Sequence, residues 1–265
     1  MNQAMSNYQQ EQAYHSRPEI SRSDLINFRK SPAHYLSYKL QTEGPQSQAL
    51  RFGEAYHLAI LEPSKFEEFV NCLGEGAKAE PEKSWNTKAN QAAKKALEQE
   101  TPILLSEADY ERVLAMRKAL QEAPAWELLS DPLNSYEVER TGTILGVDCR
   151  AKFDVEHPAQ LLDLKTCQDA SPEKARKEVF FSYYYYQAGF YSLLAPEAQE
   201  FGFIFQEKEP PYCSSVIWVS EGLLKTGQLQ VKEDLEQLKQ CQEDGLFPGY
   251  HYYSSEKDGS FIVGG

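Results

Sequence analysis

The chain lacks any apolar run near the ~18–20 residues that a membrane helix needs. Its first residues, MNQAMSNYQQEQAYHSRPE, are polar and hold no apolar core, so they do not read as a secretory signal. Both absences point to a cytoplasmic protein with no membrane partner. Cysteine is sparse: Cys72, Cys149, Cys167, Cys213 and Cys241 lie far apart, and no CxxC pair occurs. That excludes zinc-ribbon and thioredoxin-type sites and leaves free thiols in a reducing compartment. No GxxxxGK[ST] loop is present, which argues against a nucleotide-driven enzyme. An excess of positive charge is missing too: 27 Lys and Arg stand against 40 Asp and Glu, a formal −13. Such a chain does not coat nucleic acid nonspecifically. It can still hold DNA in a local basic groove, and its carboxylates suit divalent metals, which take oxygen ligands.

What is present is ordinary globular material: 265 residues, 41% hydrophobic, 25% charged. That length supports a core without disulfides. Residues 1–18 read as a disordered arm, and 19–265 as a single domain. Its first part, about 19–130, is helical. Ser21 or Ser23 can cap a short helix with Leu25, Ile26 and Phe28, and Pro32 starts another. Residues 41–48 read as a loop, and Leu50–Leu61 as a buried helix. Residues 71–90 read as an exposed excursion, with helices expected at 87–100, 106–122 and around Trp126–Leu129.

From about 134 to 250 the texture is that of a sheet core. Tyr136–Arg140, Thr143–Val155 and Leu161–Cys167 read as strands. In the second, Val147, Cys149, Ala151 and Phe153 alternate with Asp148, Arg150, Lys152 and Asp154, the period of a half-buried strand. A helix over 171–196, two strands (FGFIFQE and SVIWVS) and a helix over 220–244 complete the order. The expected fold class is α/β or α+β, a central mixed sheet flanked by helices.

The chemistry concentrates in CRAKFD-(x8)-DLK. Two apart on a strand, Asp163 and Lys165 point to one face, and Leu162, Leu164 and Thr166 to the other. A hairpin brings Asp154 beside Asp163. Two carboxylates that close repel unless a cation lies between them, and Mg²⁺ or Mn²⁺ fits. Taken alone, a D-x-K on an exposed strand face is also common in proteins without such a site.

Three more segments narrow the choice. Asp154…Asp163-Leu164-Lys165 resembles the active-site signature of the PD-(D/E)xK nuclease superfamily. Gln187-Ala188-Gly189-Phe190-Tyr191 resembles the QxxxY motif of its RecB-like branch, and Gly53-Glu54-Ala55-Tyr56-His57 that branch's GxxxH helix. With SRSDLINFRKSPAHYL and FGEAYHLAILEPSKF, the likeness is closest to the exonuclease VIII (RecE) nuclease domains of phages and prophages. It runs from about Ser21 to Leu246.

The resemblance implies a restriction-endonuclease-like core and a set of roles. His57, Asp154, Asp163 and the Leu164 carbonyl would hold divalent metal, Mg²⁺ with Mn²⁺ able to substitute. Lys165 would position the attacking water. Gln187 and Tyr191 would hold the helix and the DNA strand near the metal, and Arg150 and Lys152 are further candidates for DNA contact. A second acidic residue is expected upstream, Glu137 or, as second choice, Glu139, which strand alternation does not separate. Each role has a plainer rival: a histidine on an apolar helix is ordinarily packed core, and Gln187 and Tyr191, four apart on a helix, share a face and can simply pack. Some RecB-like relatives carry a four-cysteine iron–sulfur cluster. Here Ser31 stands at the early position and no cysteine follows Phe247, so none is expected. The implied activity is a 5′→3′ exonuclease on double-stranded DNA ends that leaves 3′ single strands for a phage annealing partner. A homo-oligomeric ring is implied as well, with basic residues lining the channel and acid facing outward. Two alternatives stay open: a single-strand exonuclease or endonuclease of the same fold, and a noncatalytic recombination scaffold.

Overall fold

Capping chemistry sets the first helices. In the computed structural model, which describes residues 14, 17–40, 47–72 and 103–250, Ser21 and Asp24 form a reciprocal capping box on α1 (Arg22–Lys30). Extended backbone at Ser31 ends that helix, and Pro32 opens α2 (Pro32–Leu40). Ser47 caps α3 (Gln48–Leu61), which buries Phe52, Tyr56 and Ile60 at helical spacing. After α4 (Pro63–Phe69) comes β1 (Val70–Cys72), paired in parallel with β2 (Ile103–Leu105). The excursion expected over 71–90 therefore begins as a strand. Its remainder, the helix expected at 87–100 and the loop over 41–46 lie outside the described residues. Two helices, α5 (Glu107–Gln121) and α6 (Ala125–Leu129), lead into the main sheet.

That sheet has five strands in the order β3 (Ser135–Ile144), β4 (Val147–His157), β5 (Gln160–Cys167), β6 (Glu200–Glu207) and β7 (Ser214–Trp218). Every neighbouring pair is antiparallel except β5 with β6, which is parallel. Between β5 and β6 run α7 (Pro172–Phe181) and α8 (Tyr184–Leu194), and α9 (Glu221–Asp244) closes the order. The mixed sheet agrees with the expected class. Two expectations need correction. The strand read over Thr143–Val155 is two strands, because Leu145 and Gly146 both take positive φ (51° and 81°) and turn a two-residue hairpin. The helix read over 171–196 breaks at Tyr183, whose φ of 56° is left-handed.

Helices cover both faces. On one, α1, α7, α8 and α9 pack on Phe153, Phe201, Phe203 and Phe205; on the other, α3, α5 and α6 pack on Val155, Leu162, Leu164 and Ile204. Asp234 of α9 knits the first layer, accepting from Arg29 Nη1 at 2.8 Å and from the Tyr186 hydroxyl at 2.7 Å. Gly189 and Gly227 let α8 and α9 touch backbone to backbone: a Cβ on Gly189 would lie 2.4 Å from the Gly227 carbonyl carbon. In the second layer the Tyr56 hydroxyl donates to the buried Gln206 Oε1 at 2.6 Å, which pins α3 to β6.

The expected disordered arm over 1–18 is held at its end. Most of it lies outside the described residues, but Tyr14 is buried under Arg150 and Arg17 pairs with Glu19 and Glu139. An isolated parallel bridge between Ile20 and Cys149 ties the end of this segment to β4.

Candidate active site

The β3–β4 ribbon changes face where the carboxylates sit. Phe153 packs into the first helical layer and Val155 into the second, although strict alternation would place them together. Opposite this switch Glu137 has φ 52°, and the ladder skips the 137–154 pair between Tyr136↔Val155 and Val138↔Phe153. Pairing of β4 with β5 stops at Val155↔Leu162, one residue short of Asp154 facing Asp163. The strands part there, and the Leu164 N–H turns from the ladder to donate to Asp154 Oδ2 at 2.7 Å.

Asp163 and Lys165 project from one face of β5, as their spacing requires. They form an ion pair, and Gln187 Nε2 of α8 donates to the other Asp163 oxygen. Gln187 is buried, and its Oε1 has no hydrogen-bond partner among the described residues. From the far face of the sheet α3 delivers His57, with Nδ1 3.6 Å from Asp154 Oδ2 and Nε2 3.2 Å from the Leu164 carbonyl oxygen. The tautomer protonated at Nε2 donates to that carbonyl and leaves the Nδ1 lone pair toward Asp154. Ligand atoms of His57, Glu137 and Asp154 all lie within 4.8 Å of one another.

Crowding shows in the proton affinity of Asp154. Burial, then the Asp163 charge, raise its carboxyl to about 7; Glu137 adds to the rise, and His57 and Lys165 oppose it. A carboxylate set that holds a proton this tightly, beside an imidazole with a free nitrogen, is a donor set for a hard divalent cation. The fit differs in detail from the expected ligands. Glu137 joins His57 and Asp154, Asp163 is turned to Lys165 and Gln187, and the Leu164 carbonyl faces His57 Nε2.

Of the two acidic candidates on β3, the structure brings Glu137 to the centre, where it pairs with Lys152 at 2.8 Å. Glu139 instead accepts from Arg17 at 3.1 Å. Arg150 needs correction as a DNA-contact candidate: it is 2% exposed, its Nε donates to the Glu19 carbonyl, and its guanidinium lies 4.2 Å from the Tyr14 ring centre. The N-terminal residues that cover it gave no signal in the strand's own pattern. Tyr191 packs at 5.1 Å on Phe153 and at 6.2 Å on Phe201, and burial with the charges of Asp163 and Asp154 holds its hydroxyl well above the usual phenol range. One neighbour went unread in the sequence. The Tyr184 ring lies 5.0 Å from Lys165 Nζ, a cation–π contact that the run of four tyrosines conceals.

Residues 21–256 match the model of a family described as a PDDEXK-like domain of unknown function (DUF3799). The chain belongs to this PDDEXK-like family. The match spans α3 and all five strands of the main sheet. Among solved structures, a candidate exonuclease from Eubacterium rectale superposes with a TM-score of 0.64 at 14% identity, covering 99% of this chain and 97% of that one. At that identity the likeness concerns the fold. A second structure, SSO0001, aligns over 82% of this chain and 85% of its own at 11% identity, with a TM-score of 0.30 that bears no argument. No curated protein matches in sequence.

Proposed function

We propose that this PDDEXK-like protein is a divalent-metal-dependent deoxyribonuclease that hydrolyses phosphodiesters from the ends of double-stranded DNA. The observation that carries the reading is the convergence of Asp154, Asp163 and Lys165 with Glu137 and His57 at a break in the sheet. A scaffold protein gains nothing from crowding these charges, whose repulsion is visible at Asp154. His57, Glu137 and Asp154, with Asp163 beside them, are the residues that would hold Mg²⁺ or Mn²⁺. When bound, such an ion supplies Lewis-acid polarisation of a phosphate oxygen.

The chain's own groups do the rest. Lys165, steadied by Asp163 and the Tyr184 ring, orients the attacking water and offsets charge that develops on the phosphate. Water adds to phosphorus as the bond to the 3′-oxygen breaks, leaving a 3′-hydroxyl and a 5′-phosphate. Gln187 keeps Asp163 in place from α8, and Tyr191 closes the floor with aromatic packing. The finer assignments rest on the resemblance to exonuclease VIII-type domains: 5′→3′ polarity, 3′ single-stranded products, a single-strand annealing partner and a homo-oligomeric ring. The E. rectale structure, named as a candidate exonuclease, supports the end-dependent reading.

The test uses linear duplex DNA labelled at each 5′ end, and a closed circle, in Mg²⁺, Mn²⁺ or EDTA. Metal-dependent loss of the linear DNA alone, with early release of the 5′ label, is the expected result, and Lys165→Ala lowers the rate at least 100-fold, a magnitude typical of losing an electrostatic stabiliser (~10²–10³). Cutting of the circle would make the protein an endonuclease. DNA binding without cleavage in any metal would leave a scaffold.

A further inference from the structure

One guanidinium on the α1 side of the acidic centre makes no ion pair among the described residues. Arg22 is the first residue of α1 and is half-buried, and its Nε is enclosed with no hydrogen-bond partner among those residues. Two backbone contacts dock this helix start on β4: the Ile20–Cys149 bridge, and the Arg150 N–H donating to the Ile20 carbonyl at 2.9 Å. The docked helix start holds Arg22 within electrostatic range of Tyr191. Its charge favours the ionised form of that hydroxyl, which Asp163 and Asp154 oppose. Arg22, Tyr191 and the two aspartates therefore share one neighbourhood.

Four other cations of this region are ion-paired, and Arg150 is covered by the Tyr14 ring with its Nε on the Glu19 carbonyl. Lys165 pairs with Asp163, Lys152 with Glu137, Arg17 with Glu19 and Glu139, and Arg29 with Asp234. Enclosing the Arg22 Nε–H without a partner costs stability. An anion supplied by the substrate offsets that cost. The guanidinium fork matches two phosphate oxygens, which an ammonium cannot do.

We propose that Arg22 is a phosphate-binding residue of this site, holding a non-bridging oxygen of the substrate strand on the α1 side of Asp154 and Asp163. The assignment deepens the nuclease reading and rests on it for the identity of the anion. Arg22 adds a positive charge that the centre otherwise lacks, because Lys152 and Lys165 on the strands are held by carboxylates before DNA arrives.

The experiment compares the full-length wild type with Arg22→Met and Arg22→Lys. Arg22→Met is expected to lower kcat/KM for linear duplex cleavage by about 100-fold, and Arg22→Lys to recover only part of it. Without DNA, the thermal midpoint of Arg22→Met is expected to stay close to that of the wild type, since the enclosed Arg22 Nε–H has no hydrogen bond to lose among the described residues. In Mg²⁺, the Arg22 Nε–H resonance, assigned by its loss in Arg22→Met, is expected to shift as inorganic phosphate is titrated. A lower midpoint in Arg22→Met with kcat/KM unchanged would make Arg22 a structural residue and overturn the proposal. So would an Arg22 resonance indifferent to phosphate. If the wild type cleaves no DNA yet the resonance still moves, the nuclease reading falls and the anion site stands.

Discussion

Asp154 is a carboxyl whose oxygens take a proton and, in the proposed mechanism, would take a metal ion in its place. Its native pKa of about 7 lies above the ordinary value of an unfolded aspartate, ~3.9. Between those two values the folded protein holds more protons than the unfolded one, so the contribution of Asp154 to stability falls as pH rises from ~4 through ~7. Above ~7 the full penalty applies, on the order of a few kcal/mol for a shift of this size. Metal-free Asp154→Asn is therefore expected to melt higher than the metal-free wild type at pH 8, with the gap closing by pH 5, while its cleavage activity is lost. Thermal melts in EDTA across that range check it; a gap that does not change with pH would mean that ionisation of Asp154 is not its cause. Saturating Mg²⁺ raises the wild type at pH 8 and leaves Asp154→Asn behind. The sequence showed these carboxylates as a pair, and spacing put Asp163 and Lys165 on one face. It could not choose Glu137 over Glu139, because that choice rests on the left-handed backbone at Glu137, which strand periodicity does not encode. It also could not bury Arg150, whose cover comes from Tyr14, far away in the chain.

At the scale of elements, the same periodicity hid a turn. Leu145 and Gly146 close the β3–β4 hairpin with positive φ at both positions, the pattern of a type I′ turn, and Leu145 is 46% exposed. Read as sequence, Ile144-Leu145-Gly146-Val147 is an apolar run that continues the strand, so the hairpin passed as one long strand. Leucine is a poor residue for left-handed backbone, and asparagine a good one. Leu145→Asn is expected to stabilise the protein by about 0.5–1 kcal/mol, seen as a higher denaturant midpoint with an unchanged slope. Gly146→Ala, at φ 81°, is expected to destabilise it by a similar or larger amount. Equal midpoints for all three proteins would mean the turn is not strained. The break at Tyr183 was missed for a related reason: FFSYYYY is apolar enough to extend a helix, and no glycine or proline marks the stop. Helix starts near Ser21 and at Pro32 were legible because each is written in local chemistry, a capping side chain or a first-turn proline, whereas the caps at Ser47 and Ser106 went unread.

For the whole molecule, the puzzle is how a chain of net charge −13 takes hold of DNA. Composition excluded a nonspecific coat and could go no further; the motifs, not the charge, narrowed the class. Around the acidic centre most cations are matched by carboxylates, so one protomer has few free charges to place on phosphates. The exposed cations Lys174 and Arg176 on α7 add little on their own. Binding by a lone protomer would then depend weakly on salt, since log K falls with log salt at a slope of about −0.9 per phosphate neutralised. A ring multiplies that number by its protomers, and it turns the acidic outer faces away from the duplex. Exposed apolar side chains such as Leu40, Phe181 and Leu229 are available to such an assembly. The expected outcome, with Lys165→Ala to suppress cleavage, is a multi-protomer species in sedimentation and a salt slope steeper than about −4 on linear duplex in Mg²⁺. In EDTA, unmasked carboxylates repel the phosphates and binding weakens sharply. A monomer with a shallow slope would remove the ring and require DNA to be gripped chiefly through the metal centre and Arg22.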